Sequence, residues 1–265
     1  MKGLRCNKTG KIVKFEDCLK CNDRCFPLTL LKHLFKVRDI DIKNLHVTQL
    51  LTPAWQLYLL SKNEHIEDVY SLFYATYGSA QHSLFETFKD DKDFENDLIE
   101  KDISMQFDKA NIVGRIDYYS ASDKILWDYK TFGTYKVKLL LEEGPDDKLL
   151  YQLNIYRFIL KYSENIKVDK MKVLILVRDW RISEFKKYGD VNNTVVIDIP
   201  KIDDYEVEKF IIEKIDSIHR TFKTGKGYCT DEETWNGRRC KDYCPVKDLC
   251  DKYKDVGSIL DMYNL

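Results

Sequence analysis

Asp117 ends the run Asn111-Ile112-Val113-Gly114-Arg115-Ile116-Asp117, and Asp128 and Lys130 stand two apart in Ile125-Leu126-Trp127-Asp128-Tyr129-Lys130-Thr131. Both runs are rich in strand-forming residues and flank Ala121-Ser122-Asp123, a pattern that predicts a β-hairpin. Side chains alternate across a strand, so Asp128 and Lys130 project from one face while Ile125, Trp127 and Tyr129 project from the other. Charged groups on one face of an otherwise apolar strand are costly to bury unless they bind something. Two carboxylates from paired strands suit a hard cation such as magnesium or manganese. Such a cation lowers the pKa of water and neutralises charge on phosphate oxygens. Lys130 could then position the attacking water or steady a pentavalent transition state. The competing reading is a surface ion pair across a hairpin, which contributes little.

Two helical segments offer further polar groups. His82 follows the small residues of Gly78-Ser79-Ala80-Gln81, where another element could approach closely, and shares a helix face with Glu86 four residues on. Gln152 and Tyr156 are also four apart, on a segment with helical apolar spacing and an acidic start. Around these residues the chain predicts a helix opened by Thr52 as N-cap and Pro53, a long helix over 67–89, and the hairpin. The Gln152 helix, two buried strands in 171–180 and 193–200, and an amphipathic helix over 203–222 follow. This order implies an α/β fold: a mixed central sheet with helices on its faces.

The eight cysteines fall in two groups, Cys6, Cys18, Cys21 and Cys25 at one end and Cys229, Cys240, Cys244 and Cys250 at the other. No apolar run approaches the roughly 20 residues of a membrane helix. The charged start MKGLRCNKTGK has no signal-peptide core, so a cytoplasmic protein with reduced thiols is expected. Metal ligation then explains the cysteines better than disulfides. With 43 basic against 44 acidic residues, the net charge of -1 gives no global attraction to phosphate, so any nucleic-acid site must be a local basic groove.

Taken together, Gly78-x3-His82, Gly114-Arg115-Ile116-Asp117, Asp128-Tyr129-Lys130-Thr131 and Gln152-Leu153-x2-Tyr156 resemble the PD-(D/E)xK nuclease superfamily, over roughly residues 48–250. The resemblance is to its RecB-like branch, which includes CRISPR-associated iron–sulfur exonucleases and AddB-type nucleases. It implies a restriction-endonuclease-like fold. His82, Asp117 and Asp128 would be ligands of Mg2+ or Mn2+, assisted by the carbonyl of Tyr129. Lys130 would be the catalytic lysine, and Gln152 and Tyr156 the supporting helix pair. Glu86 and Glu100 lie where they could join the site or its surroundings.

Cys240-x3-Cys244-Pro245-x4-Cys250 resembles the carboxy-terminal triplet of the iron–sulfur members, with one extra residue in the first gap. The region 50–59, where the family takes its fourth ligand, has no cysteine, which leaves Cys229 as the candidate. These four could hold a 4Fe–4S cluster or zinc. Cys6-x11-Cys18-x2-Cys21-x3-Cys25 contains a zinc-knuckle spacing, and seven basic residues among the first 25 could touch a phosphate backbone. An alternative has Cys25 complete the carboxy-terminal cluster.

The expected organisation is a cysteine-rich segment over 1–28 and a nuclease domain over 29–265 with its metal site in 229–250. The implied activity is metal-dependent hydrolysis of DNA, as an exonuclease on single-stranded ends, alone or with recombination, repair or CRISPR-adaptation proteins. Two rivals are a non-catalytic nucleic-acid-binding scaffold, which predicts loss of a catalytic group, and an endonuclease subunit of a larger complex.

Overall fold

Alternation of buried and solvated residues from 98 onward builds the sheet that carries the acidic residues. A computed structural model of the chain describes residues 3–34, 39–63, 66–67, 69–183 and 191–250. The last stretch assigned above to the nuclease domain, 251–265, lies outside the described residues. The chain divides into two compact units, one formed by 1–42, 52–73 and 214–265, the other by 43–51 and 74–213.

In the first unit, β1 (Gly3–Arg5) pairs antiparallel with β2 (Ile12–Lys14) and parallel with a two-residue β4 (Ile66–Glu67). Helices α1 (Phe15–Lys20) and α2 (Leu28–Leu34) follow β2. Leu4, Leu31 and Leu34 form a small buried cluster against which Phe15, Cys18, Phe26 and Phe73 pack. Helix α4 (Ala54–Lys62) has Pro53 at its N-cap, one position later than the sequence suggests, and no side-chain cap. Its Tyr58 meets Phe222 edge-on at 5.5 Å.

The second unit holds a six-stranded mixed sheet of β3 (Asn44–His46), β5 (Leu98–Gln106), β6 (Asn111–Ser120), β7 (Ile125–Phe132), β8 (Lys170–Val177) and β9 (Thr194–Ile199). The hairpin forms as β6–β7, its turn closed by Lys124 at φ 54°. Strand β7 runs parallel to β8, and the crossover between them consists of α6 (Thr134–Glu143) and α7 (Asp147–Ser163). Ile155, Ile159 and Leu160 of α7, with Leu126, Met171, Val173 and Ile175 of the sheet, are fully buried. The mixed sheet with flanking helices agrees with the fold expected from the sequence. The helix over 67–89 is α5 (Val69–Glu86), preceded in the chain by the short α3 (Val47–Leu50), and the late amphipathic helix is α8 (Asp204–Thr224).

The sequence reading assigns no element before residue 52, and within the central part of the chain it also lacks β5 and α6. Strand β5 reads Leu-Ile-Glu-Lys-Asp-Ile-Ser-Met-Gln, whose charges mask its alternation, and α6 follows β7 directly. Its N-cap, Gly133, offers no side chain. Asp179, beyond β8, supplies the cap instead by accepting from Thr134 N at 2.7 Å and Thr134 Oγ1 at 2.8 Å.

Candidate active site

The site lies where β6 loses its partner. Residues Asn111–Val113 pair with β3 and Tyr118–Ser120 pair with β7. Asn111–Val113 and Tyr118–Tyr119 also pair with β5, so β3 and β7 share the opposite edge of β6. Gly114 to Asp117 therefore occupy a fork in the sheet with no strand partner on that edge among the described residues. Asp117 and Asp128 would be the next pair of the hairpin, but the ladder stops at Tyr118–Trp127. The Asp117 carboxylate replaces the missing bond: its Oδ2 accepts from Tyr129 N at 2.6 Å.

On the other edge, the β5–β6 ladder skips Glu100, whose φ of 45° is left-handed. That conformation costs about 1–3 kcal/mol in a residue with a Cβ. Ile99 and Glu100, successive residues, are consequently both buried. Glu100 Oε1 lies 2.8 Å from His82 Nδ1 of α5, and Asp117 Oδ1 lies 3.4 Å from the same nitrogen. Among the described residues, His82, Glu100 and Asp117 form the one trio of histidine, cysteine or carboxylate groups with ligand atoms all within 4.8 Å of one another.

Asp128, 2% exposed, is held from two sides: Gln152 Nε2 donates to Oδ1 at 3.1 Å, and Lys130 Nζ lies 2.5 Å from Oδ2. Burial rules out the reading of a solvated surface pair. Gln152 also donates to Tyr156 Oη at 3.3 Å. The Tyr156 ring fills the fork, since a Cβ on Gly114 would lie 2.7 Å from its Cε1. Glycine at 114 is thus required by the approach of α7 to β6.

The electrostatics are those of crowded carboxylates. Burial, then the charge of Asp128, pushes the Asp117 carboxyl up to about 7, against the opposing pull of Lys130 and His82. His82 is raised above its ordinary value by its hydrogen bond with Glu100, which outweighs its burial. Burial pulls Lys130 down, but Asp128 and Asp117 outweigh it and hold its ammonium above the usual lysine value. A buried cluster of this sign suits a divalent cation, with imidazole and carboxylate donors in the range accepted by Mn2+ and Mg2+.

Sequence reasoning placed His82, Asp117, Asp128, Lys130, Gln152 and Tyr156 together in order, and the structure brings these side chains into one connected set. It separates Glu86, which is exposed and 4.0 Å from Arg115. Among the described residues no element approaches Gly78, where a Cβ would meet nothing within 4 Å. Gln81 went unnoticed as a site residue. It is buried beside His82, accepts from Thr131 Oγ1 at 3.2 Å, and has no hydrogen-bond partner for its Nε2 among the described residues. Its signal was adjacency to His82 and nothing more.

In the first unit, the thiol of Cys229 has Cys250, Cys240 and Cys244 in its electrostatic surroundings, and burial followed by the charge of Glu233 pushes it up to about 12. Cys240 lies in α9 (Arg238–Asp242). Cys244 is raised by burial and accepts a hydrogen bond from Val246 N–H. Cys25 has Cys6 and Cys18 as neighbours.

No helix among the described residues is long and apolar enough to cross a membrane. No curated protein matches the chain significantly. Among solved structures, SSO0001 is similar at 18% identity with a TM-score of 0.50, covering 90% of this chain and 96% of that one. A phage related exonuclease from Haemophilus somnus 129PT aligns at 12% identity and a TM-score of 0.38, over 79% of this chain and 91% of its own. The first likeness shows a shared fold. The model of the PD-(D/E)XK nuclease superfamily matches residues 46–251, a span that contains the fork, its carboxylates and Lys130, and the chain therefore belongs to that superfamily.

Proposed function

We propose that this protein is a divalent-metal-dependent deoxyribonuclease of the RecB-like type, acting as an exonuclease on single-stranded DNA ends. The observation that carries the reading is the convergence of His82, Glu100 and Asp117 beside the buried Asp128–Lys130 pair. His82, Asp117 and Asp128, with the carbonyl of Tyr129, would hold Mg2+ or Mn2+, and Glu100 joins this donor set through its place against His82. The ion, when bound, supplies an acidified water and neutralises charge on the scissile phosphate.

The chain's own groups do the positioning. Lys130 remains an ammonium at neutral pH and carries its charge to the phosphate or to the attacking water. Gln152, itself contacting Tyr156, fixes the Asp128 carboxylate through Oδ1. Tyr129 N–H orients Asp117. Support for a single-stranded substrate comes from the helix that bears His82. Tyr77 is 63% exposed on it, and the Arg178 guanidinium stacks 3.7 Å from the Tyr74 ring, an aromatic and cationic surface of the kind on which unpaired bases stack.

The test is cleavage of end-labelled single- and double-stranded DNA with Mg2+ or Mn2+. Lys130→Ala should lower turnover by about 100- to 1,000-fold with DNA binding retained. Equal cleavage by wild type and variant would overturn the proposed site. Products released from the interior of a closed circular single strand would make the enzyme an endonuclease. For Cys229, Cys240, Cys244 and Cys250 the proposed occupant is a 4Fe–4S cluster, supported by four thiols in one neighbourhood and by the backbone N–H directed at the Cys244 sulfur. An absorption band near about 400 nm is expected of it, and a colourless protein with stoichiometric zinc would refute it.

A further inference from the structure

The catalytic reading leaves Cys6, Cys18, Cys21 and Cys25 unused. Cys6 opens the turn between β1 and β2, Cys18 lies in α1, and Cys21 and Cys25 lie between α1 and α2. All four are free thiols; Cys21 is exposed and the others are half-buried. Only Cys18 packs against the small apolar cluster of this unit, so hydrophobic packing does not account for the group.

The turn is built around the Cys6 sulfur. Cys6 N donates to Lys11 O at 2.8 Å, Gly10 N donates to Cys6 O at 2.9 Å, and Gly10 takes a φ of 66° that favours glycine. This curl turns the N–H groups of Lys8 and Thr9 and the Thr9 hydroxyl onto the sulfur, which also contacts the thiol of Cys25. N–H groups directed at one sulfur favour its thiolate, the form that ligates metal. Cys18 in turn has Cys25, Cys21 and Cys6 within electrostatic reach, and so does Lys8 have Cys25 and Cys21. Four thiols drawn from a turn, a helix and a loop thus share one neighbourhood.

We propose that Cys6, Cys18, Cys21 and Cys25 bind one zinc ion as four thiolates, tying the β1–β2 turn to α1 and to the segment before α2. Four S–H protons are released to solvent as four zinc–sulfur bonds form, which leaves the site with a charge of two minus. Arg24, which acts on Cys18, and Lys8, which is also paired with Asp23, offset that charge. No three of these sulfurs lie mutually within 4.8 Å. Zinc–sulfur bonds of about 2.3 Å in a tetrahedron set sulfur–sulfur separations of about 3.8 Å, so in every trio at least one pair of sulfurs must close by about 1 Å or more on binding. Rotation of the exposed Cys21 and its half-buried partners can supply that movement. Exposure and the polar turn favour zinc over an iron–sulfur cluster, which oxidises more readily in contact with solvent. The proposal does not depend on the nuclease reading.

The test uses the full chain purified with zinc present. Native mass spectrometry and elemental analysis compare wild type, Cys18→Ser/Cys21→Ser, and Cys240→Ser/Cys244→Ser. One zinc per chain should persist in the carboxy-terminal double variant and vanish in the amino-terminal one. Cobalt exchanged into the carboxy-terminal double variant should give the visible bands of a tetrahedral tetrathiolate. Cys21→His should keep the ion and shift those bands, which separates loss of a ligand from loss of folding. Equal zinc in wild type and Cys18→Ser/Cys21→Ser would overturn the proposal, and so would a brown iron chromophore lost with that pair.

Discussion

Asp117 is the residue at which site chemistry and stability meet. Its carboxyl is pushed from 3.8 to about 7, chiefly by burial. Between those two values the folded chain keeps a proton that the unfolded chain has lost, so this group lowers stability progressively as pH rises through that window. In chelator, the melting temperature should therefore fall between about pH 5 and pH 7.5, and Asp117→Asn should flatten the decline. An unchanged slope in the variant would refute the assignment. The same proton competes with a cation, as does the proton that Glu100 helps to hold on His82. Apparent Mn2+ affinity, measured by titration calorimetry, should rise as pH passes about 7. Glu100→Gln replaces a charged carboxylate of the His82–Glu100–Asp117 trio by a neutral amide, and it should weaken Mn2+ binding by about 10-fold or more. Unaltered binding would assign Glu100 to orienting His82 alone.

At the scale of elements, the fork in β6 depends on a residue without a Cβ. Gly114→Ala must displace the Tyr156 ring or Val47, whose Cγ2 lies 3.2 Å from the position of the new carbon. A cost of about 1–3 kcal/mol is expected in urea unfolding, together with lower turnover as Gln152 loses its partner. Wild-type stability in the variant would show that the approach of α7 is loose. Helix α6 makes a second case, since its cap comes from a distant residue. Asp179→Ala leaves Thr134 N without its acceptor and should cost about 1 kcal/mol by the same measurement. The hairpin itself was legible in sequence, because period-two alternation and the turn residues are local. Strand β5 was not, since its buried residues are interrupted by charge and by the left-handed Glu100.

For the molecule as a whole, the contacts sort the chain differently from its order. The first unit gathers both cysteine groups from residues some 200 positions apart, while the second holds every residue of the carboxylate site. The metal binding proposed for the cysteines would then be coupled to the first unit's folding. Stripping Cys229, Cys240, Cys244 and Cys250 of their occupant should lower the melting temperature, while cleavage at low temperature by protein that remains folded persists. Scanning calorimetry beside a nuclease assay checks this. Unchanged melting after complete removal would show that the cysteines do not brace the fold.

The residue types at 117, 128 and 130, their strand alternation and the helical pairing of Gln152 with Tyr156 were determined by sequence, because each is a short-range regularity of backbone geometry. Mixed α/β architecture followed from the order of such segments. Tertiary structure decided what no local period encodes: that β6 forks, that Asp117 substitutes for a ladder bond, that Glu100 turns inward and Glu86 outward, and that Gln81 is buried beside His82. Those outcomes arise from pairing and packing between segments far apart in the chain. There the burial of one carboxylate is set by its neighbours in space and not by those in sequence.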